Sequence, residues 1–306
     1  MSFWNSFKIL ITRFGHVWRV ALYLFVVLVI IGGISAAVLI PVQIEVFHSE
    51  EMINRLGEFR DMLSDGVLSI IFYEARELWI YFFDLVSGSV GSIISLIAFT
   101  LVVILARYLL GFYELPLAEV LDTFLTTGAK TSFAGRLIAS VGRSSIFVFY
   151  KSVFLLIYDI LMITIVFATL NLFLIQNSVV EFVTPFFTML VLICLLAFRS
   201  VMTTSWTPLV VIDKMKPLEA LFTGIKAGFR NFGRLFSVYL VTWLIIVVIN
   251  YIAAANAYGV GLILTIPISV LFLKILSLVF FYNRTNRRYY VDGKVFTPGG
   301  VNTNEG

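Results

Sequence analysis

Six runs of roughly twenty or more apolar residues punctuate the chain, at positions 20–40, 86–110, 146–174, 182–201, 235–255 and 260–282. A hydrocarbon layer about 30 Å thick takes roughly 20 such residues per helical crossing, so each run is long enough to span. The other way across, a β-barrel, would show short strands alternating between lipid-facing and lumen-facing residues. These runs are too long and too uniformly apolar for that. The pattern predicts an all-α fold, a polytopic transmembrane bundle of six helices.

Three shorter stretches are apolar on one helical face only. Phe3, Phe7, Leu10, Phe14 and Val17 form one stripe, and Leu218, Leu221, Phe222, Ile225 and Phe229 form another. A third, Leu117, Val120, Leu121, Phe124 and Leu125, follows Pro116, a residue suited to a helix's first turn. Such stripes either pack on a bundle or lie in the headgroup layer with basic residues facing water. Short echoes mark a common plan. Gly15-His16, Gly142-Arg143 and Gly233-Arg234 precede the first, third and fifth runs, while Arg107 and Arg199 are each followed nine positions later by Pro-Leu, at Pro116-Leu117 and Pro208-Leu209. We read three hairpin units, about 1–110, 111–212 and 213–283, within a single integral membrane domain. Each is a cytoplasmic interfacial helix followed by two spans.

Charge orients these spans, because Lys and Arg are retained on the cytoplasmic side during insertion. Lys8, Arg13 and Arg19 precede the first run, and Lys130, Arg136 and Arg143 lie between the second and third. Lys214, Lys216, Lys226, Arg230 and Arg234 separate the fourth from the fifth, and Arg284, Arg287, Arg288 and Lys294 follow the sixth. Both termini are therefore expected in the cytoplasm, the protein being multi-pass in a plasma (inner) membrane. Positions 41–87 are instead acidic, with Glu45, Glu50, Glu51, Glu58, Asp61, Asp65, Glu74, Glu77 and Asp84, and form the expected extracytoplasmic loop. Within it Met52, Leu56, Phe59 and Leu63 share a helical face, and Trp79 and Tyr81 suit a membrane interface. Two short helices are expected there, the second on the outer leaflet, offering either a docking cap for protein partners or a solvated pair. Positions 284–306 form a basic cytoplasmic tail, disordered in part. Ser35-Ala36-Ala37 resembles a signal-cleavage site, yet the aromatic-rich start and the length of the first run favour a retained span.

Composition agrees, with 60% hydrophobic and only 13% charged residues and a mean hydropathy of +1.00. The net charge of +4 is spread over short loops without a nucleic-acid motif, and suits membrane lipids with anionic headgroups. Lys8, Arg143, Arg234, Arg284, Arg287 and Arg288 are the candidate headgroup contacts. The single cysteine, Cys194, excludes an intramolecular disulfide, and His16 and His48 are expected on opposite sides of the membrane, so no metal site is predicted. No P-loop, Gly-x-Ser-x-Gly elbow, HExxH or dinucleotide fingerprint occurs. Neither a cofactor nor an enzymatic activity is expected. Glu114, Glu119 and Asp122 read as the solvated face of one amphipathic helix.

Ionisable residues inside spans are costly and mark pairs or polar cavities. Asp159 sits deep in the third run, with Arg107, Arg199 and Lys274 as candidate counter-charges; with Asn250 they make the candidate intramembrane polar site. Two roles compete for Asp159: a structural ion pair with Lys274 or Arg199, and coupling to a proton or a substrate. Asn250 and Thr242 could bridge helices by hydrogen bonds. Gly32, Gly33, Ala36 and Ala37, with Ser87, Gly88, Gly91 and Ser92, suggest close helix packing.

Pro217-Leu218-Glu219-Ala220-Leu221 leading to Asn231-Phe232-Gly233-Arg234, together with Gly15-His16, resembles a group of bacterial six-span membrane domains. Among these is the membrane domain of glycerophosphoryl diester phosphodiesterases. The likeness is one of layout over the whole chain. The chain holds no soluble phosphodiesterase domain, so that activity is not implied. What the resemblance implies is an accessory or transport-like module of a bacterial plasma membrane. The sequence thus points to a component handling a lipid or small solute, the alternative being a structural or assembly subunit of a membrane complex.

Overall fold

A computed structural model describes residues 2–38, 50–65, 68–87, 90–174, 178–256, 260–291 and 293–298. It is an all-α bundle. Helix α1 (Ser2–Thr12) leads into α2 (Gly15–Val38); α3 (Glu50–Asp65) and α4 (Leu68–Ser87) precede α5 (Val90–Gly111). Then come α6 (Glu114–Thr127), α7 (Phe133–Ala139), α8 (Val141–Leu170), α9 (Ser178–Thr203) and α10 (Trp206–Val211). Helices α11 (Pro217–Arg230), α12 (Phe232–Asn256) and α13 (Leu262–Arg284) complete the set, followed by a two-stranded antiparallel ribbon, β1 (Tyr289–Val291) and β2 (Lys294–Phe296). Six helices are long and apolar enough to cross a membrane: Gly15–Ala37, Ile97–Thr127, Val141–Leu170, Phe182–Val211, Phe232–Ala255 and Leu262–Arg284. The second and fourth run on into α6 and α10.

These helices carry apolar residues all round because lipid covers one side of each and protein the other. On α2, Leu22, Phe25 and Leu28 face outward while Val17 and Val20 are buried. The inward share is largest for α13, where Leu271, Ile275, Leu276 and Val279 are fully buried. It packs against α1, α2, α6 and α12, which makes it the central post of the bundle.

Helix α6 is the second centre. Its stripe of Leu117, Val120, Leu121, Phe124 and Leu125 is buried, but so is Leu115, well outside that stripe, because α7, α8, α10, α13 and β1 surround it. It ends at Gly128, whose left-handed φ of 70° closes the last turn with a 2.8 Å bond from its N–H to the Phe124 carbonyl. The interfacial placement suggested for this stripe is thus replaced by packing inside the protein.

Helices α1 and α11 behave differently. On α11 the side turned to the protein is made largely of small residues, Ala220, Gly224, Ala227 and Gly228, with Leu221 beside them, while Leu218, Phe222 and Phe229 are exposed. A Cβ on Gly228 would come within 2.4 Å of the Val201 carbonyl oxygen, and one on Gly224 within 3.2 Å of the Trp206 backbone nitrogen. On α1 the buried side is Ser2, Asn5, Ser6, Ile9 and Leu10, and Trp4, Phe7, Ile11 and Phe14 stand outside. Large apolar residues facing out beside Lys8, Lys226 and Arg230 suit a headgroup layer. By contrast Gly32, Gly33, Ala36 and Ala37, expected to mediate close packing, face outward, and nothing lies within 4 Å of a Cβ on either glycine.

The acidic stretch does form two helices, α3 and α4, packed on each other and against α12 and α9. Arg76 is buried there and donates through Nε to Asn171 Oδ1 at 3.2 Å while pairing with Glu77. Positions 41–49 of that stretch, including Glu45 and His48, and positions 299–306 of the basic tail lie outside the described residues, as do the Ser87–Ser92 side chains.

Candidate functional site

Three helices bring ionised groups to one place. Lys151, Leu155 and Asp159 follow at four-residue intervals and so share a face of α8, with Lys151 and Asp159 about 12 Å apart along its axis. Glu114 opens α6, and Lys274 lies midway along α13. Both ammoniums reach the same carboxylate oxygen: Lys274 Nζ is 2.5 Å from Glu114 Oε2, and Lys151 pairs with that atom as well. The Glu114 side chain is only 14% exposed.

A second cluster sits beside this one. Asp159 Oδ2 pairs with Arg107 at 2.6 Å and accepts from Arg199 at 3.3 Å, while its buried Oδ1 has no hydrogen-bond partner among the described residues. Arg199 joins the clusters, because it also lines a cavity of about 240 Å³ with Glu114, Lys151 and Lys274. Its walls include Ser200, Thr203, Thr204, Tyr239 and Ser277. Ser200, Thr203 and Ser277 donate to carbonyls of their own helices, and Trp243 Nε1 donates to Ser200 Oγ at 2.8 Å. The donors left to the chamber are chiefly the two ammoniums and the guanidinium.

Four cations (Arg107, Lys151, Arg199, Lys274) face two carboxylates (Glu114, Asp159), a difference of 4 − 2 = 2 positive charges. Uncompensated charge at membrane depth is unfavourable by several kcal/mol. The excess positive charge is complementary to an anion small enough for the chamber.

Several expectations change. Lys274 is not a partner of Asp159; Glu114 takes it, and Arg107 and Arg199 hold Asp159 instead. The acidic residues of α6 are not a solvated face. Besides Glu114, Glu119 pairs with Arg143 at 3.3 Å and Asp122 accepts from the Tyr282 hydroxyl at 2.5 Å. Asn250 belongs elsewhere: its Oδ1 accepts from Thr265 Oγ1 at 2.6 Å and its Nδ2 donates to Ser269 Oγ at 3.3 Å, bridging α12 and α13 outside the chamber. Among the described residues Thr242 bonds only within its own helix, to the Val238 carbonyl.

The basic residues expected at headgroups divide. Arg143 is engaged by Glu119 and the Val210 carbonyl, and Arg287 by Asp213 at 2.8 Å. Lys8 lies over the Trp4 ring. Arg234, Arg284 and Arg288 are exposed and, among the described residues, have no carboxylate partner. Sequence reasoning missed Glu114 as a site residue, although its apolar neighbours Tyr113, Leu115 and Leu117 gave a sign of burial.

Comparison with known proteins finds no matching family model, no matching curated protein and no matching solved structure. Function has to be read from these residues themselves.

Proposed function

We propose that this protein is a non-enzymatic membrane module that binds and handles a lipid or small solute, as a transport component or an accessory to one. Its place is a bacterial plasma membrane, with both termini in the cytoplasm. One observation carries the reading: a polar chamber inside a membrane-spanning bundle in which cations outnumber carboxylates. A purely structural bundle gains nothing from such a cavity, since replacing buried ion pairs with packed apolar residues is often neutral or stabilising. Loop charge supports the orientation, and the likeness of Pro217–Leu221 and Asn231–Arg234 to bacterial membrane domains supports the setting.

The test is native mass spectrometry of detergent-purified protein, wild type against Lys274→Met. A noncovalent small molecule or lipid that is retained by the wild type and lost from the variant supports the chamber as a working site. A bound protein chain with no small species would favour the rival reading, an assembly subunit. That rival draws on Ile53, Tyr73 and Trp79, large side chains exposed on the acidic helix pair.

A further inference from the structure

A second cavity, about 400 Å³, opens at the end of the bundle where α1, α12 and α13 meet the ribbon. Arg234 and Arg284 line it together with Asn231 and Asn283, and among the described residues no carboxylate does. Among the described residues neither guanidinium has an ion-pair partner. Thr204 and Ser277 line both this cavity and the inner chamber, so one wall separates them. The buried hydroxyl pair Thr204–Tyr239, 2.6 Å apart, belongs to that wall. Beyond it stand Lys274, Lys151 and Arg199.

We propose that this outer cavity is a phosphate-binding vestibule that admits a phosphate-bearing ligand toward the chamber. The proposal rests on the reading of the chamber as a solute-handling site, and names the chemistry of what it handles. Two guanidinium forks suit the tetrahedral oxygens of phosphate, to which each can donate two parallel hydrogen bonds. Asn231 and Asn283 each commit one amide hydrogen, to the Ala227 carbonyl and Ser2 Oγ, so the two guanidiniums supply the charge and most of the free donors for recognition. Phe280, Phe281 and Phe296 supply the apolar part of the wall, and the outward aromatic faces of α1 and α11 place the mouth at headgroup depth. A phospholipid headgroup and a free phosphate share this chemistry.

Full-length protein in neutral detergent would be titrated calorimetrically at fixed ionic strength with inorganic phosphate and, separately, with a soluble short-chain phosphatidylglycerol. Arg234→Gln combined with Arg284→Gln should weaken binding about ten-fold or more, the loss expected from removing two charge-assisted contacts. Arg230→Gln combined with Arg288→Gln, two exposed cations that line neither cavity, should change it less than about two-fold. Binding of the lipid alone identifies a headgroup site; binding of both probes identifies a site open to free phosphate. Failure of the wild type to bind either probe overturns the proposal, and so does equal weakening by the two pairs of substitutions. Retention of a chamber ligand in the Arg234→Gln, Arg284→Gln protein, without phosphate binding by the wild type, would sink the vestibule alone. Phosphate binding without any chamber ligand would sink the proposed function alone.

Discussion

Glu114 is shared by two lysines, and that stoichiometry sets the order of mutational effects. Glu114→Gln leaves Lys151 and Lys274 facing each other without a carboxylate, and should cost about 3–5 kcal/mol, the range for stripping one partner from a buried pair. Lys274→Met leaves a one-to-one pair and should cost less. Thermal melts of the two variants in one detergent check this, and a reversed order would mean that the lysines are not both charged. Tyr289 gives a second case, outside the spans. Its hydroxyl accepts from Asn5 Nδ2 at 2.9 Å and donates to Asn283 Oδ1 at 3.1 Å, and burial pushes its pKa above 10.0. A raised folded pKa contributes stability that is whole below the unfolded value and lost as pH rises through the folded one. Tyr289→Phe should therefore lose about 1–2 kcal/mol at neutral pH. The gap to wild type should narrow above pH 10, read from melts across alkaline buffers. At this scale the sequence marks Asp159 as costly because a carboxylate amid apolar neighbours stands out. Glu114 escaped notice because its partners lie 37 and 160 positions away, and no local pattern reports a contact that distant.

Helix α11 meets α9 and α10 through its smallest residues, and this explains which glycines matter. Gly228→Ala would drive a methyl into the Val201 carbonyl and should destabilise by about 1–3 kcal/mol as over-packing. Gly233→Ala, with nothing within 4 Å of the new atom, should be neutral or stabilising by less than about 1 kcal/mol. Melting both variants side by side decides it; equal effects would mean that the two helices are not in close contact. The repeated Gly-His or Gly-Arg pairs read along the chain thus mark helix starts, whereas the packing glycines of α11, Gly224 and Gly228, sit one helix before the third pair. The α6 stripe was legible as a helix face, but a stripe looks the same whether lipid or protein covers it. Only Leu115, buried well outside the stripe, distinguishes an interior helix from an interfacial one.

Across the whole molecule, the six spans were legible because hydrocarbon thickness imposes a run length that few other environments demand. Pairing between helices was not, since apolar side chains toward lipid and toward protein are chemically alike. The proposed orientation predicts opposite labelling of single cysteines introduced after Cys194→Ser. In intact cells Asp61→Cys should react with a membrane-impermeant maleimide, and Lys8→Cys only after permeabilisation. Reaction of both from one side would rule out the six-span layout. One feature also governs how such a bundle is made. Asn5 and Ser2 of α1 are held by Tyr289 and Asn283, partners 284 and 281 positions later in the chain. Helix α1 is thus fastened by residues synthesised long after it. Until then α1 must wait at the membrane surface on its aromatic face, and a nascent chain halted after α12 would hold every earlier span without its central post or its clasp.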